Sequence, residues 1–418
     1  MSRLGLRARV FWASAAVVGY TYVGFPLLVL ARSRLRPAPY RSTDITPTVT
    51  LLVAAHNEAG AIGTKLDNAL ALDYPTDRLE IVVASDGSDD DTEAVVATFA
   101  GRGVRLLALQ RVGKASALEA AADVATGEIL VFSDANSLYA ADAIRRLVRP
   151  FADPSVGGVA GNQRYRPQSA SDATTAGEQV YWDFDRILKE AESRAGSTIS
   201  ATGAIYAIRR SLFRGVPVGV TDDFAVSTSV IEQGHRLVFA ADAVAWEPVA
   251  ASGGAEWGRK VRIMTRGFRG VLERRALLDP TRHGFYSVQL VSHKVLRRLM
   301  GIPLLALALA APALWRRGRI YQLATLGQAA FYALGVTGLA LGRRGPGRHK
   351  LLAAPSFFIM VNAAAMTALW NVVRGRRIDR WDPARSDAVT QTQTQTPPAS
   401  PPADSRMGGP PRALGRPR

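Results

Sequence analysis

An uncharged run of 21 residues near the amino end constrains the folding of this chain more than any other feature of its sequence. The run extends from Val10 to Leu30, and a helix rising about 1.5 Å per residue crosses a hydrocarbon core of about 30 Å over this length. A signal peptide is the alternative, but its apolar region is typically shorter and precedes a small-residue cleavage site, whereas the basic segment ARSRLR follows here. We therefore predict a transmembrane anchor over residues 1–41.

Three further apolar runs lie in the C-terminal third of the chain: Met300–Leu314, Tyr321–Leu341 and Leu351–Val373. The first is short and suits a tilted or interfacial helix, whereas the other two are long enough to span a bilayer. We predict a basic interfacial segment over residues 259–299 and transmembrane helices over residues 300–385. Residues 386–418 are rich in Thr, Gln and Pro, which predicts a disordered tail.

The net charge of +17 would ordinarily suggest a nucleic-acid partner, but its distribution argues against one. Residues 42–258 carry 18 basic and 29 acidic side chains, a net charge of −11. The basic excess lies beside the apolar runs, with +7 over residues 1–41 and +13 over residues 294–385. This pattern is typical of Lys and Arg at membrane edges, so we expect a lipid bilayer as partner and no nucleic acid.

Residues 42–258 alternate strand-like and helix-like patterns. Continuous apolar runs over residues 49–54 (VTLLVA) and 79–84 (LEIVVA) are typical of strands buried on both faces, and further strands are predicted over 104–109 and 128–132. Helical spacing fills the segments between them. This order predicts an α/β fold with a mostly parallel sheet, helices on both faces of the sheet, and flanking transmembrane helices.

Polar side chains follow three of the predicted strands. Asn57 and Glu58 come after the first, Asp86 after the second, and Asp134 and Asn136 after the fourth. Ligands of such sheets bind at the carboxyl ends of the strands, so the three groups are expected to meet in one crevice. A lone aspartate at such a position is more often a helix cap, but three converging clusters favour a binding site.

Asp134 and Asn136 form an acid–x–amide pair. Residues two apart in an extended segment point the same way, so the pair offers two hard oxygen ligands for Mg²⁺ or Mn²⁺ held together with substrate phosphates. The simpler alternative is a turn that caps the following helix. Lys114, just before a predicted helix, either reaches a phosphate or is a solvated lysine.

Several kinds of site are excluded by what the sequence lacks. With no cysteine, the chain holds no disulfide, thiolate zinc site, iron–sulfur cluster or cysteine nucleophile. No GxGxxG follows the first strand and no GxxxxGK[ST] loop occurs, which disfavours dinucleotide-binding and P-loop folds.

The segments VAAHNEAG, IVVASDGSDDDT, GKASAL, VFSDAN, TGAIYAIRR and TDDFAVSTSVIEQGHRLVFAADAVAWEP together resemble the membrane-bound family-two glycosyltransferases. The resemblance covers about residues 45–300 and implies a nucleotide-diphospho-sugar transferase fold of type A (GT-A) over residues 42–258. It also implies that Asn57 and Glu58 border the nucleotide, that Asp86 holds its base or ribose, and that Asp134 is the first acid of the metal motif, with Asn136 where the second acid usually stands.

Two further segments carry roles that the resemblance implies. Thr202 and Gly203 match the loop beside the donor sugar and acceptor, and Asp222 and Asp223 match the acidic motif whose last aspartate is the catalytic base. An acceptor hydroxyl needs such a base, and two adjacent carboxylates would raise the pKa of one another. The simpler alternative is that an aspartate, Asp222 in particular, caps the following helix.

The sequence departs from the family at its Gln-x-x-Arg-Trp motif. The corresponding stretch is basic, and Arg259, Lys260 or Arg262 could clamp a diphosphate there. The alternative is an interfacial helix whose arginines meet lipid headgroups.

The resemblance thus predicts an inverting, multi-pass membrane transferase that moves a hexosyl or N-acetylhexosaminyl group from a nucleotide sugar, UDP-linked by preference, to a saccharide or lipid hydroxyl. We expect it in polysaccharide or glycolipid synthesis at the inner cell membrane, with the catalytic domain cytosolic and accessory export proteins as candidate partners. Two alternatives remain open: a transferase acting on a polyprenyl phosphate, and a non-catalytic membrane scaffold.

Overall fold

The computed structural model of the chain describes residues 5–165, 173–247, 253–341 and 350–376. The tail predicted over residues 386–418 lies outside the described residues. One eight-stranded sheet organises the domain between the apolar helices, in the spatial order β3-β2-β1-β4-β7-β6-β8-β5. The strands are β1 Val49–Ala55, β2 Leu79–Asp86, β3 Val104–Leu109, β4 Ile129–Asp134, β5 Leu138–Tyr139, β6 Val156–Tyr165, β7 Tyr206–Arg209 and β8 Arg236–Glu247.

Fifteen α-helices are described in the same ranges. They are α1 Leu6–Gly19, α2 Phe25–Leu35, α3 Ala59–Leu70, α4 Thr92–Ala97, α5 Lys114–Asp123, α6 Ala143–Val148, α7 Ala173–Ala195, α8 Asp222–Glu232, α9 Gly253–Glu273, α10 Pro280–His283, α11 Phe285–Gln289, α12 Arg297–Leu299, α13 Gly301–Ala313, α14 Arg319–Leu341 and α15 Lys350–Val373. Two π-helical segments, Tyr20–Gly24 and Leu290–Leu296, join α1 to α2 and α11 to α12.

The four strands predicted from apolar runs form the parallel half of the sheet. β1 pairs in parallel with β2 and with β4, and β2 pairs in parallel with β3. All seven residues of β1 are buried, and alternate residues enter separate cores: Leu51 packs on one face of the sheet and Leu52 on the other. Helices α3 and α6 cover the first face, and α5 and α8 cover the second. The predicted α/β fold with helices on both faces is therefore confirmed.

The other half of the sheet is mixed. β7 runs antiparallel to both β4 and β6, and β5 runs antiparallel to β8, whereas β6 and β8 are parallel. Four of the seven pairings are thus parallel. The reversal at β7 brings the loop that precedes it, residues 200–205, to the end of β4.

The apolar runs are helical. Leu6–Leu35, Arg319–Leu341 and Leu351–Val373 are each long and apolar enough to cross a membrane, and Phe285–Leu299 with Gly301–Ala313 forms a fourth candidate, bent by 54°. A one-residue break at Met300 separates these last two helices, and the tilted or interfacial placement of this run stays a prediction.

These helices also pack against the globular domain. Phe25 and Val29 of α2 cluster with Leu188 and Ala191 of α7, and α15 lies along α9, where the Lys260 ammonium sits 4.9 Å from the ring centre of Phe357. α15 also packs against α7, so the domain is fixed to the apolar helices through both α2 and α15.

Candidate functional site

The polar residues predicted after β1, β2 and β4 lie at one edge of the sheet. Register pairs Ala54 of β1 with Asp134 of β4, and Ala55 of β1 with Ser85 of β2. Because these strands are parallel and end at the same level, the loops that follow them enclose one crevice. The predicted convergence of the three clusters is what the structure shows.

Asp86 shapes the wall of the crevice between β2 and β3. Its side chain is fully buried, and Oδ1 accepts the backbone N–H groups of Val112 (2.7 Å) and Gly113 (2.8 Å). Oδ2 lies 3.6 Å from the Arg111 guanidinium and, among the described residues, accepts no hydrogen bond. Oδ1 is thus fixed by backbone N–H groups, and Oδ2 is a buried oxygen beside the Arg111 guanidinium.

The loop after β1 is fastened to the loop after β2. Asn57 adopts a left-handed backbone with φ of 53°, and its Oδ1 accepts the backbone N–H of Asp89 at 2.8 Å. The backbone N–H of Glu58 donates to Oγ1 of Thr92 at 2.8 Å. A left-handed asparagine is uncommon and marks a tight, specified turn at the mouth of the crevice.

Lys114 joins two of the predicted site acids. Its ammonium lies 2.7 Å from Asp134 Oδ1 and 3.1 Å from Asp222 Oδ2, with 12% of the side chain exposed. Burial alone would lower the pKa of Lys114, but the two carboxylates raise it above its usual value, so the ammonium stays charged. The solvated-lysine alternative is therefore wrong.

Asn136 presents an unsatisfied oxygen. Its Oδ1 is buried and has no hydrogen-bond partner among the described residues, although a buried amide oxygen is normally paired. Two residues away, the Asp134 side chain is 30% exposed and carries a carboxylate. A carboxylate with a spare amide oxygen fits a hard divalent cation. The described ranges hold no group of three or more His, Cys, Asp or Glu side chains for a metal, so substrate and water would supply the other ligands.

The loop before β7, residues 200–205, contacts the Asp134 carboxylate at Gly203. A Cβ added to Gly203 would lie 2.9 Å from Asp134 Oδ2, which only a glycine avoids at this place. Oγ1 of Thr202 is buried without a hydrogen-bond partner in the described part of the chain. The structure therefore brings the predicted donor-sugar loop onto the predicted metal ligand.

Asp223 is the second residue of α8, directly after Asp222. It is half-buried, and its Oδ1 accepts the backbone N–H of Phe224 at 2.7 Å. Burial, followed by the charge of Asp222, raises the pKa of Asp223, and the cation of Lys294 partly opposes this shift. The predicted helix-capping role for Asp222 is wrong, because its carboxylate pairs with Lys114 and Thr221 occupies the N-cap position.

Arg259 and Arg262 lie half-buried on α9, the helix that packs along α15. Their assignment to a diphosphate therefore stays a prediction. The same helix closes on α8, since a Cβ at Gly270 would lie 2.8 Å from the Phe224 ring.

Two residues at the site were not predicted. The hydroxyl of Tyr206 is buried without a hydrogen-bond partner in the described ranges, and burial followed by Asp222, Asp223 and Asp134 raises its pKa. Lys65 is fully buried on α3, where burial lowers its pKa to about 7. A signal for Lys65 was present in the sequence, because it falls at helical spacing between the apolar residues Ile62 and Ala69.

The sequence and fold of the chain are similar to those of known sugar transferases. Residues 47–270 match the family described as glycosyltransferase-like family 2. Poly-beta-1,6-N-acetyl-D-glucosamine synthase of Staphylococcus aureus is 29% identical over 272 residues, covering 63% of this chain and 64% of the relative. An N-acetylglucosaminyltransferase of a Rhizobium species is 25% identical over 292 residues, covering 65% and 64%. The match thus spans less than two thirds of either relative.

A solved structure extends the likeness beyond the globular domain. The mannosyltransferase from Pyrobaculum calidifontis, solved with GDP-Man and Mn²⁺, is 29% identical with a TM-score of 0.65. The superposition covers 87% of this chain and 99% of that one. The likeness confirms a GT-A fold for the present chain, which also contains candidate membrane helices.

Proposed function

Because the chain belongs to the glycosyltransferase-like family 2, as the match over more than half of its length shows, we propose that residues 42–258 form an inverting glycosyltransferase domain. The domain transfers a sugar from a nucleotide-diphospho-sugar to a hydroxyl acceptor in polysaccharide or glycolipid synthesis. The observation that carries this proposal is the ion-paired series Asp134–Lys114–Asp222, which joins the donor side of the crevice to the start of α8 beside Asp223.

The donor nucleotide occupies the wall formed by the loops after β1 and β2. Asn57 and Glu58 border it, and Oδ2 of Asp86 accepts a hydrogen bond from its base or ribose. Arg259 and Arg262 of α9 supply positive charge for the diphosphate. Arginine suits this role because its planar guanidinium binds phosphate oxygens in pairs.

Asp134 and Asn136 hold a divalent cation, Mg²⁺ or Mn²⁺, together with the diphosphate. Support comes from the unsatisfied Asn136 oxygen and from the Mn²⁺ in the archaeal relative. A cation held by Asp134 and Asn136 would supply positive charge to the departing diphosphate. Lys114 keeps the Asp134 carboxylate oriented, and the absent side chain of Gly203 lets the donor-sugar loop approach that carboxylate closely.

Asp223 takes the proton of the acceptor hydroxyl. Its raised pKa makes it a stronger base than an ordinary aspartate, provided that the pH keeps it ionised. Attack opposite the departing diphosphate inverts the anomeric centre. Thr202 and Asp222 lie between donor and acceptor, where they orient the reacting groups.

The donor is tested by nucleotide release. Purified protein in detergent, offered several nucleotide sugars, is expected to turn over an N-acetylhexosaminyl or hexosyl donor. UDP-N-acetylglucosamine is tried first because both named sequence relatives act on N-acetylglucosamine, and GDP-mannose second.

Excess EDTA should abolish turnover and added Mn²⁺ or Mg²⁺ should restore it. Turnover that survives EDTA contradicts the metal assignment, and failure with every donor supports the scaffold alternative.

We further propose that the apolar helices place the protein in the inner cell membrane with the catalytic domain in the cytosol, where nucleotide sugars are made. The packing of the apolar helices indicates which ends of the bundle share a side of the membrane. A Cβ at Gly5 would lie 3.6 Å from the Arg317 guanidinium, so the start of α1 and the turn after α13 share one side. The globular domain enters after α2 and therefore lies on the other side. The saccharide or lipid acceptor and accessory export proteins would then meet the enzyme at the membrane.

The absence of cysteine makes this topology directly measurable. We expect Arg316→Cys, in the exposed turn after α13, to react with a membrane-impermeant maleimide in intact cells. Thr98→Cys, exposed on the globular domain, should react only after lysis. Labelling of Thr98→Cys in intact cells would place the domain outside and overturn the proposal.

A further inference from the structure

Lys65 is a buried lysine to which neither the motifs nor the proposed chemistry gives a role. It lies on the apolar face of α3 with Ile62 and Leu66, and its relative exposure is 0%. A lysine is almost never fully buried unless its ammonium is satisfied, so its partners indicate what it does.

The Lys65 ammonium donates hydrogen bonds to both ends of the short segment 133–137. Nζ donates to Oγ of Ser133 at 2.7 Å and to the carbonyl of Ser137 at 2.7 Å. Asp134 and Asn136 lie between these two anchor points. The ring centre of Tyr139 lies 3.9 Å from Nζ and covers a further face of the cation.

The same helix fastens the residue that follows the segment. Oδ1 of Asn68 accepts the backbone N–H of Tyr139 at 2.7 Å, and Nδ2 donates to its carbonyl at 2.9 Å. Ser133 extends the attachment to the donor-sugar loop, since its Oγ lies 3.3 Å from the carbonyl of Ala204. Helix α3 therefore holds segment 133–139 in place through the side chains of Lys65 and Asn68.

We infer that Lys65 is a positioning residue for the divalent cation, holding the Asp134 and Asn136 oxygens in their coordinating arrangement through Ser133 and Ser137. The inference rests on the proposed function in that it takes these two residues as the metal ligands. The two hydrogen bonds of Lys65 go to Ser133 and Ser137. Its charge also interacts with the Asp134 carboxylate, so Lys65 acts on the ligands both through the backbone of segment 133–137 and through its charge. Groups that orient metal ligands in this way typically contribute 10–100-fold to metal affinity.

The test is Mn²⁺ binding itself, measured as free Mn²⁺ by electron paramagnetic resonance with UDP present and no sugar transfer. Lys65→Met keeps the length of the side chain but removes the charge and both donors. We expect its dissociation constant for Mn²⁺ to rise by about 10–100-fold. The matched control is Leu66→Ala, which removes buried contacts from the next position of α3 and touches no part of segment 133–139 through a hydrogen bond.

Melting temperatures separate positioning from stability. Both variants are expected to melt below the wild type, but Leu66→Ala should bind Mn²⁺ within about twofold of it, because the ligand segment keeps its anchors. If Lys65→Met does not yield folded protein, Lys65→Gln, which is shorter and uncharged, is measured instead, and the same weakening is expected.

Wild-type affinity in the Lys65 variant overturns this inference, as does equal weakening in Leu66→Ala. Failure of the proposed function looks different. A wild type that binds Mn²⁺ normally yet turns over no donor contradicts sugar transfer alone, whereas a wild type that binds no Mn²⁺ overturns both the metal assignment and the role of Lys65.

Discussion

Replacing Asp223 with asparagine lowers sugar transfer by about 10²–10⁴-fold, the usual contribution of a general base. The amide keeps the size of the side chain and its place at the start of α8, but it cannot accept the acceptor's proton. Binding of the nucleotide should survive, because the contacts assigned to it come from Asp86 and from the metal ligands. UDP affinity by calorimetry and sugar transfer by product assay are measured on the same preparation.

The pH dependence of this variant provides an internal check. In the wild type, burial and the neighbouring Asp222 raise the pKa of Asp223, so the carboxylate is protonated as the pH falls through that raised value. Transfer by the wild type should therefore decline at a higher pH than an ordinary aspartate would give. The slow residual transfer of Asp223→Asn should lack this acid limb.

Two outcomes would contradict the assignment. Loss of UDP binding in Asp223→Asn means that the residue is structural or a donor ligand. Unchanged transfer with normal binding means that the nucleophile needs no base. A phosphate is such a nucleophile, so that result would favour the polyprenyl-phosphate alternative.

Replacing Asp134 with alanine is expected to abolish nearly all activity. The change removes the only carboxylate of the proposed metal pair and leaves Lys114 paired with Asp222 alone. Charge stabilisation by a bound cation is worth several kcal/mol, and each 1.36 kcal/mol is a factor of ten, so a loss of about 10³-fold or more follows. Initial rates are measured over a range of Mn²⁺ concentrations.

Asn136→Asp is the matched control for this experiment. It substitutes a charged oxygen for the unsatisfied amide oxygen two residues away, so activity should stay or rise and less Mn²⁺ should be needed for half-maximal rate. Near-wild-type turnover in Asp134→Ala would show that the cation, if used, is held elsewhere. A large loss in Asn136→Asp would show that the amide has another role.

The parallel half of the sheet was predictable because its strands are continuous apolar runs. Leu51 and Leu52 are both buried, each on its own face, and only a strand covered on both sides shows this pattern. β6 and β7 were not predicted. The segment VGGVAGNQRY in β6 has three glycines, which weaken the apolar signal, and their absent side chains leave room for neighbours such as Ile205 and Leu237.

At the site, the sequence predicted which residues converge but not how they pair. Lys114 and Asp222 are over 100 residues apart, and their ion pair forms only because the fold brings the first residue of α5 to the first residue of α8. Local reasoning left a helix cap open as the simpler alternative for Asp222, and the long-range pair with Lys114 excludes that alternative. Lys65 was not predicted for a similar reason, since its hydrogen-bond acceptors lie about 70 residues away in the sequence. The helical pattern alone shows only that a charged residue interrupts an apolar face.

The two long C-terminal helices differ in how much of their surface other protein covers. Within its most apolar window, 11% of α14 is buried, against 44% of α15. α14 meets α15 through Gly335 and Gly338, where an added Cβ would strike Ile359 and Ser356, and α15 continues on to α9. In evolutionary terms, the outward face of α14 is free to drift among apolar residues. α15 must remain compatible with α14, α9 and α7 at once, so its sequence should diverge more slowly.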